Sequence, residues 1–323
     1  MNGQDSGSNA GQVLPVKTPS CREVEAACRN ITRYLHRTPV VTSRTVNRLV
    51  GAELFFKCEN LQKTGAFKAR GALNAVLRCE GEHSNFITHS SGNHGAALAW
   101  AAGIAGSTAT VIVPKDALPE KLESMRRYGA RLKLCGSTLQ DREGVLEQTR
   151  CEGEFKEIPP YDHFDIVAGQ GTCAWELLGQ VENLNQLWMP VGGGGLAAGS
   201  AIAGDGRVEI VCAEPELARD AHDSLRSGSR LPPYPPRTMA DGLRTGLGEV
   251  NFQTLRHFGA SVALATEQGI SDATLLLWSC LNMIVEPSSA VVLAAMLENP
   301  GRAAGRVGVI LSGGNVLPQF GAG

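Results

Sequence analysis

Lys68 sits in the run Lys-Thr-Gly-Ala-Phe-Lys-Ala-Arg-Gly at residues 63–71, a glycine-punctuated turn between an apolar strand pattern at 54–58 and a helical pattern at 72–77. An amine at the carboxyl end of a strand, partly withdrawn from water, is a candidate Schiff-base nucleophile. A lone lysine near a turn is by default a solvated surface residue. Three other turns give this one its weight. Residues 89–95 read His-Ser-Ser-Gly-Asn-His-Gly, residues 192–195 are four consecutive glycines, and residues 312–315 read Ser-Gly-Gly-Asn. The first is a loop of small and polar residues opening an Ala-rich helix, which presents backbone N–H groups suited to a carboxylate or phosphate. The tetraglycine lets backbone approach an anion closely at a helix N-terminus, where the partial positive charge helps. No Gly-x-Gly-x-x-Gly with a ribose-binding acid and no Walker pattern is present, so a monophosphate fits better than a dinucleotide or a triphosphate.

The elements that must position these turns follow from the apolar runs. Ser20 and Glu23 form a capping-box pattern before Val24, Ala27, Ile31 and Leu35, whose spacing predicts an amphipathic helix. Strand patterns at 86–88, 109–113, 132–134, 187–191, 208–213 and 307–311 alternate with helical stretches, for example around 121–128 and 144–148. Such alternation implies parallel sheets, and each chemically interesting turn follows a strand, so the topology brings them to one edge. Residues 1–18 read as a flexible tail and not a signal peptide. Residues 85–157 are expected to form a small mobile domain, inserted between 19–84 and 158–323 of a larger one.

Composition narrows the partners. A net charge of −2 without Lys/Arg blocks argues against nucleic acid or an anionic membrane, and no apolar run reaches spanning length. The nine cysteines show no Cys-x-x-Cys pair and the seven histidines no zinc spacing. Reduced thiols in a cytoplasmic protein are therefore expected. Glu214 and Asp220, with a carbonyl between them, could hold a hard divalent cation, although an acidic loop of this kind is more often simply solvated.

A phosphate cradle, an aldehyde-reactive lysine and a serine able to meet a ring nitrogen together ask for pyridoxal 5′-phosphate. At this point the sequence resembles the fold-type II (tryptophan-synthase-β-like) pyridoxal-phosphate enzymes and, within them, the serine racemase and serine/threonine dehydratase family. The resemblance spans about residues 20–316 and is carried by the 63–71 run, Ser-Ser-Gly-Asn-His-Gly at 90–95, Ala-Gly-Gln-Gly-Thr at 168–172, Val-Gly-Gly-Gly-Gly at 191–195 and Leu-Ser-Gly-Gly-Asn-Val at 311–316. It implies an α/β fold of two lobes, each with a largely parallel twisted sheet flanked by helices. It also implies roles: Lys68 as the Schiff-base lysine and α-proton carrier, Phe67 beside the ring, Asn93 at the ring hydroxyl, Gly192, Gly193, Gly194, Gly195 and Leu196 around the phosphate, and Ser312 at the pyridine nitrogen. Ser90, Ser91, Asn93, His94, Arg142 and Thr245 would meet the amino-acid substrate. His94 stands where sulfur-transferring relatives typically carry Thr, which favours elimination or racemisation.

Ser91 matters most, because racemising members use this serine opposite the lysine while many plain dehydratases carry alanine. Stereoinversion needs acid/base groups on both faces of the α-carbon, whereas elimination can proceed with one. The resemblance further implies a divalent cation, Mg2+ or another, at Glu214, the carbonyl of Ala218 and Asp220. It implies a homodimer, and an allosteric ATP site at Lys63, Thr64, Tyr128 and Asn315, from which Asn282 and Ala96 depart. The loop at 159–163, with Tyr161 in place of an asparagine, is more similar to bacterial threonine dehydratases, whose biosynthetic forms carry a regulatory C-terminal domain not expected after residue 323. The expected activity is interconversion of L- and D-serine with loss of water from L-serine or L-threonine. The alternatives are a dedicated L-threonine/L-serine dehydratase, an aspartate racemase, or a non-catalytic pyridoxal-phosphate-binding paralogue.

Overall fold

In a computed structural model, the described residues are 17–79, 81, 85–233 and 235–317. Most of the expected tail, residues 1–16, lies outside them. The strands are β1 (Val40–Val41), β2 (Glu53–Cys58), β3 (Asn85–His89), β4 (Thr108–Pro114), β5 (Arg131–Cys135), β6 (Lys156–Glu157), β7 (Gln186–Pro190), β8 (Glu209–Pro215), β9 (Ser261–Ala265) and β10 (Arg306–Leu311). The α-helices are α1 (Cys21–Ile31), α2 (Arg44–Val50), α3 (Lys68–Leu77), α4 (Asn93–Ile104), α5 (Pro119–Arg127), α6 (Leu139–Cys151), α7 (Phe164–Gln180), α8 (Gly195–Gly204), α9 (Asp220–Ser227), α10 (Glu249–His257), α11 (Glu267–Leu281) and α12 (Pro287–Glu298). None is long and apolar enough to cross a membrane.

Two sheets result. One has six strands in the order β1-β2-β10-β7-β8-β9, parallel except where β1 meets β2. The other, β5-β4-β3-β6, is wholly parallel. Helices cover both faces of the larger sheet, so its central strands are continuous apolar runs without alternation. Every residue of β7 is buried. One face packs on α2, α11 and α12 through residues such as Phe56, Ile270 and Val291. The other packs on α7, α8 and α10 through Leu177, Ile202 and Phe252.

The glycines of the 168–172 motif explain how the site is mounted. A Cβ on Gly171 would lie 2.6 Å from the carbonyl oxygen of Gly199, and one on Gly169 would lie 2.7 Å from the Cα of Gly71. Helices α3, α7 and α8 therefore touch backbone to backbone, which only a missing side chain permits. The helix that begins with Lys68 and the helix that begins at the tetraglycine are thus clamped to one common element.

Three local expectations need correction. Helix α1 starts with the expected capping box but ends at Ile31, and Leu35 follows a 3-10 turn, so it is not on the helix. Lys68 is the first residue of α3, not part of the preceding turn. The amide of Phe67 donates to the carbonyl of Ser312 at 3.0 Å, so the helix can begin at once without an orphaned donor there. Asn93, His94 and Gly95 likewise belong to α4, because Ser90 Oγ accepts from the amides of Gly92 and Gly95, both at 3.1 Å, and closes the turn earlier than expected.

Candidate active site

The turns after β2, β3, β7 and β10 meet in a cleft of about 540 Å³ whose walls come from both sheets. Lys68 is tied down at its base. Residue 66 bridges to residue 313, Phe67 is bonded to Ser312 as above, and the Lys68 amine lies 5.1 Å from the centre of the Phe67 ring. Lys68 Nζ donates to the carbonyl of Pro160 at 2.7 Å. Burial lowers its pKa to about 8, with the nearby Glu286 carboxylate pulling the other way. Ser312, 2% exposed, closes the end of β10 and lines the same cleft.

The tetraglycine forms the opposite rim. Gly194 has φ 88° and caps α8. A Cβ on Gly193 would fall 2.2 Å from the ring of Tyr161, and one on Gly194 would fall 2.6 Å from Leu247. The carbonyl of Gly193 turns away from the cleft, accepting from Gly248 N at 3.1 Å and Asn251 Nδ2 at 2.6 Å. Among the described residues no protein acceptor is recorded for the amides of Gly192, Gly193 or Gly194. Tyr161 covers the loop, and its hydroxyl accepts from Thr245 Oγ1 at 2.9 Å.

On the four-stranded side, Ser91 is exposed and lines the cleft. Asn93 Nδ2 donates to both oxygens of Glu286 at 3.0 and 3.1 Å, and its Oδ1 accepts from Asn315 Nδ2 at 2.9 Å. One lone pair of Oδ1 is left for a ligand hydroxyl. His94 is buried. Its Nε2–H donates to the carbonyl of Ile158 at 3.0 Å, and Nδ1 has no partner. Burial, reinforced by the charge of Lys68, holds its pKa at about 3, so the ring is neutral. Arg142 reaches the cleft with one terminal nitrogen on the carbonyl of Ser137 at 3.3 Å and a buried Nε without a partner.

The structure brings together Lys68, Phe67, Ser90, Ser91, Asn93, His94, Arg142, Gly192 to Leu196, Thr245, Ser312 and Asn315. It leaves the other sets elsewhere. Glu214 is the penultimate residue of β8 and Asp220 begins α9, both buried, with their pKa values raised chiefly by desolvation. Glu214 accepts from the amides of Ala221 at 2.9 Å and His222 at 2.8 Å, and Asp220 accepts from Leu247 N at 2.9 Å. Among the described residues no group of three or more His, Cys, Asp or Glu side chains could hold a metal. Thr64 is joined to Asn315, whose Nδ2 donates to its carbonyl at 2.7 Å, while Tyr128 packs beyond the end of α5 against the Met125 cluster.

Sequence reasoning missed Glu286, Lys121 and Asp241. Glu286 is 4% exposed, sits directly before the proline that opens α12, and has its pKa raised by burial. Its one signal was an acid between an apolar pair and a helix-starting Pro-Ser-Ser. Lys121 and Asp241 form an ion pair across the cleft, and no motif marks either.

Comparison with known proteins follows the same pattern. The family model described as "Pyridoxal-phosphate dependent enzyme" matches residues 31–313. A serine racemase of Dictyostelium discoideum is 42% identical over 312 residues, covering 94% of this chain and 96% of the relative. A beta-hydroxyaspartate dehydratase of Paracoccus denitrificans is 40% identical, covering 92% and 96%. The solved structure of a T.th. threonine deaminase superposes with a TM-score of 0.89 at 40% identity, covering 93% of this chain and all of the other.

Proposed function

The chain belongs to the family of pyridoxal-phosphate-dependent enzymes, and on that premise we propose that it interconverts L- and D-serine and eliminates water from L-serine or L-threonine to give the 2-oxo acid and ammonia. The residues present fit the cofactor. Covered glycines leave amides open at the start of α8 for a phosphate, Ser312 offers a neutral hydroxyl, and the lowered pKa of Lys68 gives it a usable neutral fraction. Bound pyridoxal 5′-phosphate supplies an aldehyde for the lysine and an electron sink for bonds at the substrate α-carbon.

The protein's own groups then divide the work. Lys68 takes or returns the α-proton from the α3 side, and Ser91, on the wall built by the four-stranded sheet, does so from the other. The amides of Asn93 and His94 receive the α-carboxylate, and neutral His94 holds the 158–161 segment in place through Ile158. The observation that carries the reading is that Lys68 and Ser91 share one cleft with the glycine cradle. Turning over L-serine and following both products tests it. D-Serine and pyruvate should both form, and Ser91→Ala should cut D-serine formation by about 100-fold or more while pyruvate persists. Pyruvate without any D-serine from the unaltered enzyme leaves the dedicated dehydratase, and neither product ends the proposal.

A second reading has its own support. The buried, unpartnered Nε of Arg142 in the cleft would suit a second carboxylate, as in the 3-hydroxyaspartate named for two relatives. Elimination from that substrate, lost in Arg142→Ala while serine turnover survives, would establish it. Our proposal also includes a divalent cation at Glu214, the Ala218 carbonyl and Asp220. Two buried acids with raised pKa values are relieved by such a charge. It further includes a small mobile lobe at 85–157 and a cytoplasmic homodimer, supported by family likeness and by nine cysteines without a Cys-x-x-Cys pair.

A further inference from the structure

Lys121 stands on the third residue of α5, on the four-stranded side, and pairs with Asp241 on the large-sheet side of the same cleft. Its side chain is only 12% exposed and that of Asp241 29%. The stem lies along the serine loop, because a Cβ placed on Gly92 would meet Lys121 Cδ at 3.2 Å. The ammonium is therefore held beside the segment of residues 91–93. That segment carries no cationic side chain of its own, and Ser90 Oγ is already engaged with the amides of Gly92 and Gly95. Of the other cations of the cleft, Arg142 rests one terminal nitrogen on the carbonyl of Ser137 at 3.3 Å and keeps its Nε for a second carboxylate. Arg244 spends Nε and one terminal nitrogen on the carbonyl of Thr238 at 2.8 and 2.6 Å, and Lys68 is held by Pro160.

We propose that Lys121 is a binding residue for the α-carboxylate of the substrate, and that Asp241 occupies it as a place-holder which the incoming carboxylate displaces. The inference rests on the amino-acid reading given above, since it needs a carboxylate at the serine loop. Exchange of one carboxylate for another on the same ammonium keeps the buried charge paired throughout, so the cation is never left bare. Asp241, the more exposed partner, can turn to water when displaced. Burial, the largest effect, and Arg244 lower the pKa of Lys121, while Glu286 and Glu120 favour its charged form. The competition also reduces apparent affinity by the fraction of time the pair is closed. A pair closed about 90% of the time weakens binding by about tenfold.

The test uses holoenzyme and malonate, a dicarboxylate with no amino group and hence no turnover, with affinity read from the cofactor absorbance or by calorimetry. Asp241→Asn should bind malonate about 5- to 10-fold more tightly, because the competitor is gone. Lys121→Met should bind it about 30-fold or more weakly, and Lys121→Arg should recover most of the loss. The two neutral substitutions thus move affinity in opposite directions. A mere latch between the sheets would be broken equally by both, so shifts of the same sign overturn the proposal. Should Lys121→Met fail to fold, Asp241→Asn decides alone, with weaker malonate binding overturning the idea and tighter binding sustaining it. An unaltered enzyme that yields neither D-serine nor pyruvate would remove the reaction assigned above, while the sign of these malonate shifts would still be readable.

Discussion

Lys68 and Arg70 are two residues apart on α3, yet they live under opposite electrostatic rules. Arg70 points to the back of the helix and is 0% exposed. Its guanidinium bonds Glu59 at 2.7 and 2.8 Å and Glu176 at 2.9 and 3.0 Å. Lys57, equally buried, completes the set through Glu176 at 2.8 Å, Gln180 at 2.7 Å and the carbonyl of Thr38 at 2.9 Å. Two cations and two carboxylates balance there, and each of the four makes several hydrogen bonds. On the front, Lys68 has one carbonyl partner, and its neighbours Arg142 and His94 keep nitrogens unpaired. A closed network holds one conformation, whereas an open one can accept a ligand. The same helix turn carries both, so the rigid side aims the reactive side.

Lys68→Ala should lower turnover of L-serine by more than about 10⁴-fold, since in the proposed reaction this amine acts directly on the reacting atoms. The thermal unfolding of the cofactor-free variant should stay close to that of the cofactor-free unaltered protein, because only one hydrogen bond, to Pro160, and the contact with the Phe67 ring are lost. Arg70→Met should do the reverse. Removing one member leaves Glu59 and Glu176 buried without their main counter-charge, which costs about 3–5 kcal/mol, read from denaturant unfolding. Equal stability losses in the two variants would erase the distinction drawn between front and back.

The smallest effect is a pH shift. Loading of Lys68 with pyridoxal 5′-phosphate needs the neutral amine, and burial has moved its pKa down to about 8. The loading rate of cofactor-free protein should therefore rise with pH through about 8 and level off above it. Glu286 opposes that shift, so Glu286→Gln should move the midpoint lower still. A midpoint near the ordinary lysine value, about 10.4, would mean that the front of α3 is as solvated as any surface.

Much of the fold was legible because its signals are local. Continuous apolar runs such as 187–191 and 307–311 correspond to β7 and β10, and Ser20 with Glu23 marks the start of α1. Strands too short to carry a pattern, β1 and β6 at two residues each, were not. Helix starts were misjudged by a few residues at Lys68 and Asn93. Their first amides are satisfied by Ser312 and Ser90, and only one of those partners is near in sequence.

What the sequence by itself determined is the inventory at the strand ends: an amine at 68, a hydroxyl at 91, bare backbone at 192–195 and a hydroxyl at 312. Residue type and local pattern suffice for that, because glycine's missing side chain and lysine's amine are properties of the residue. Tertiary structure alone decided the partners. Asn93 meets Glu286 across 193 positions, Arg70 meets Glu176 across 106, and Lys121 meets Asp241 across 120. Such pairs leave no periodicity in the chain. They arise when backbone-to-backbone contacts among α3, α7 and α8, and the closure of two sheets on one cleft, fix which buried charges must answer one another.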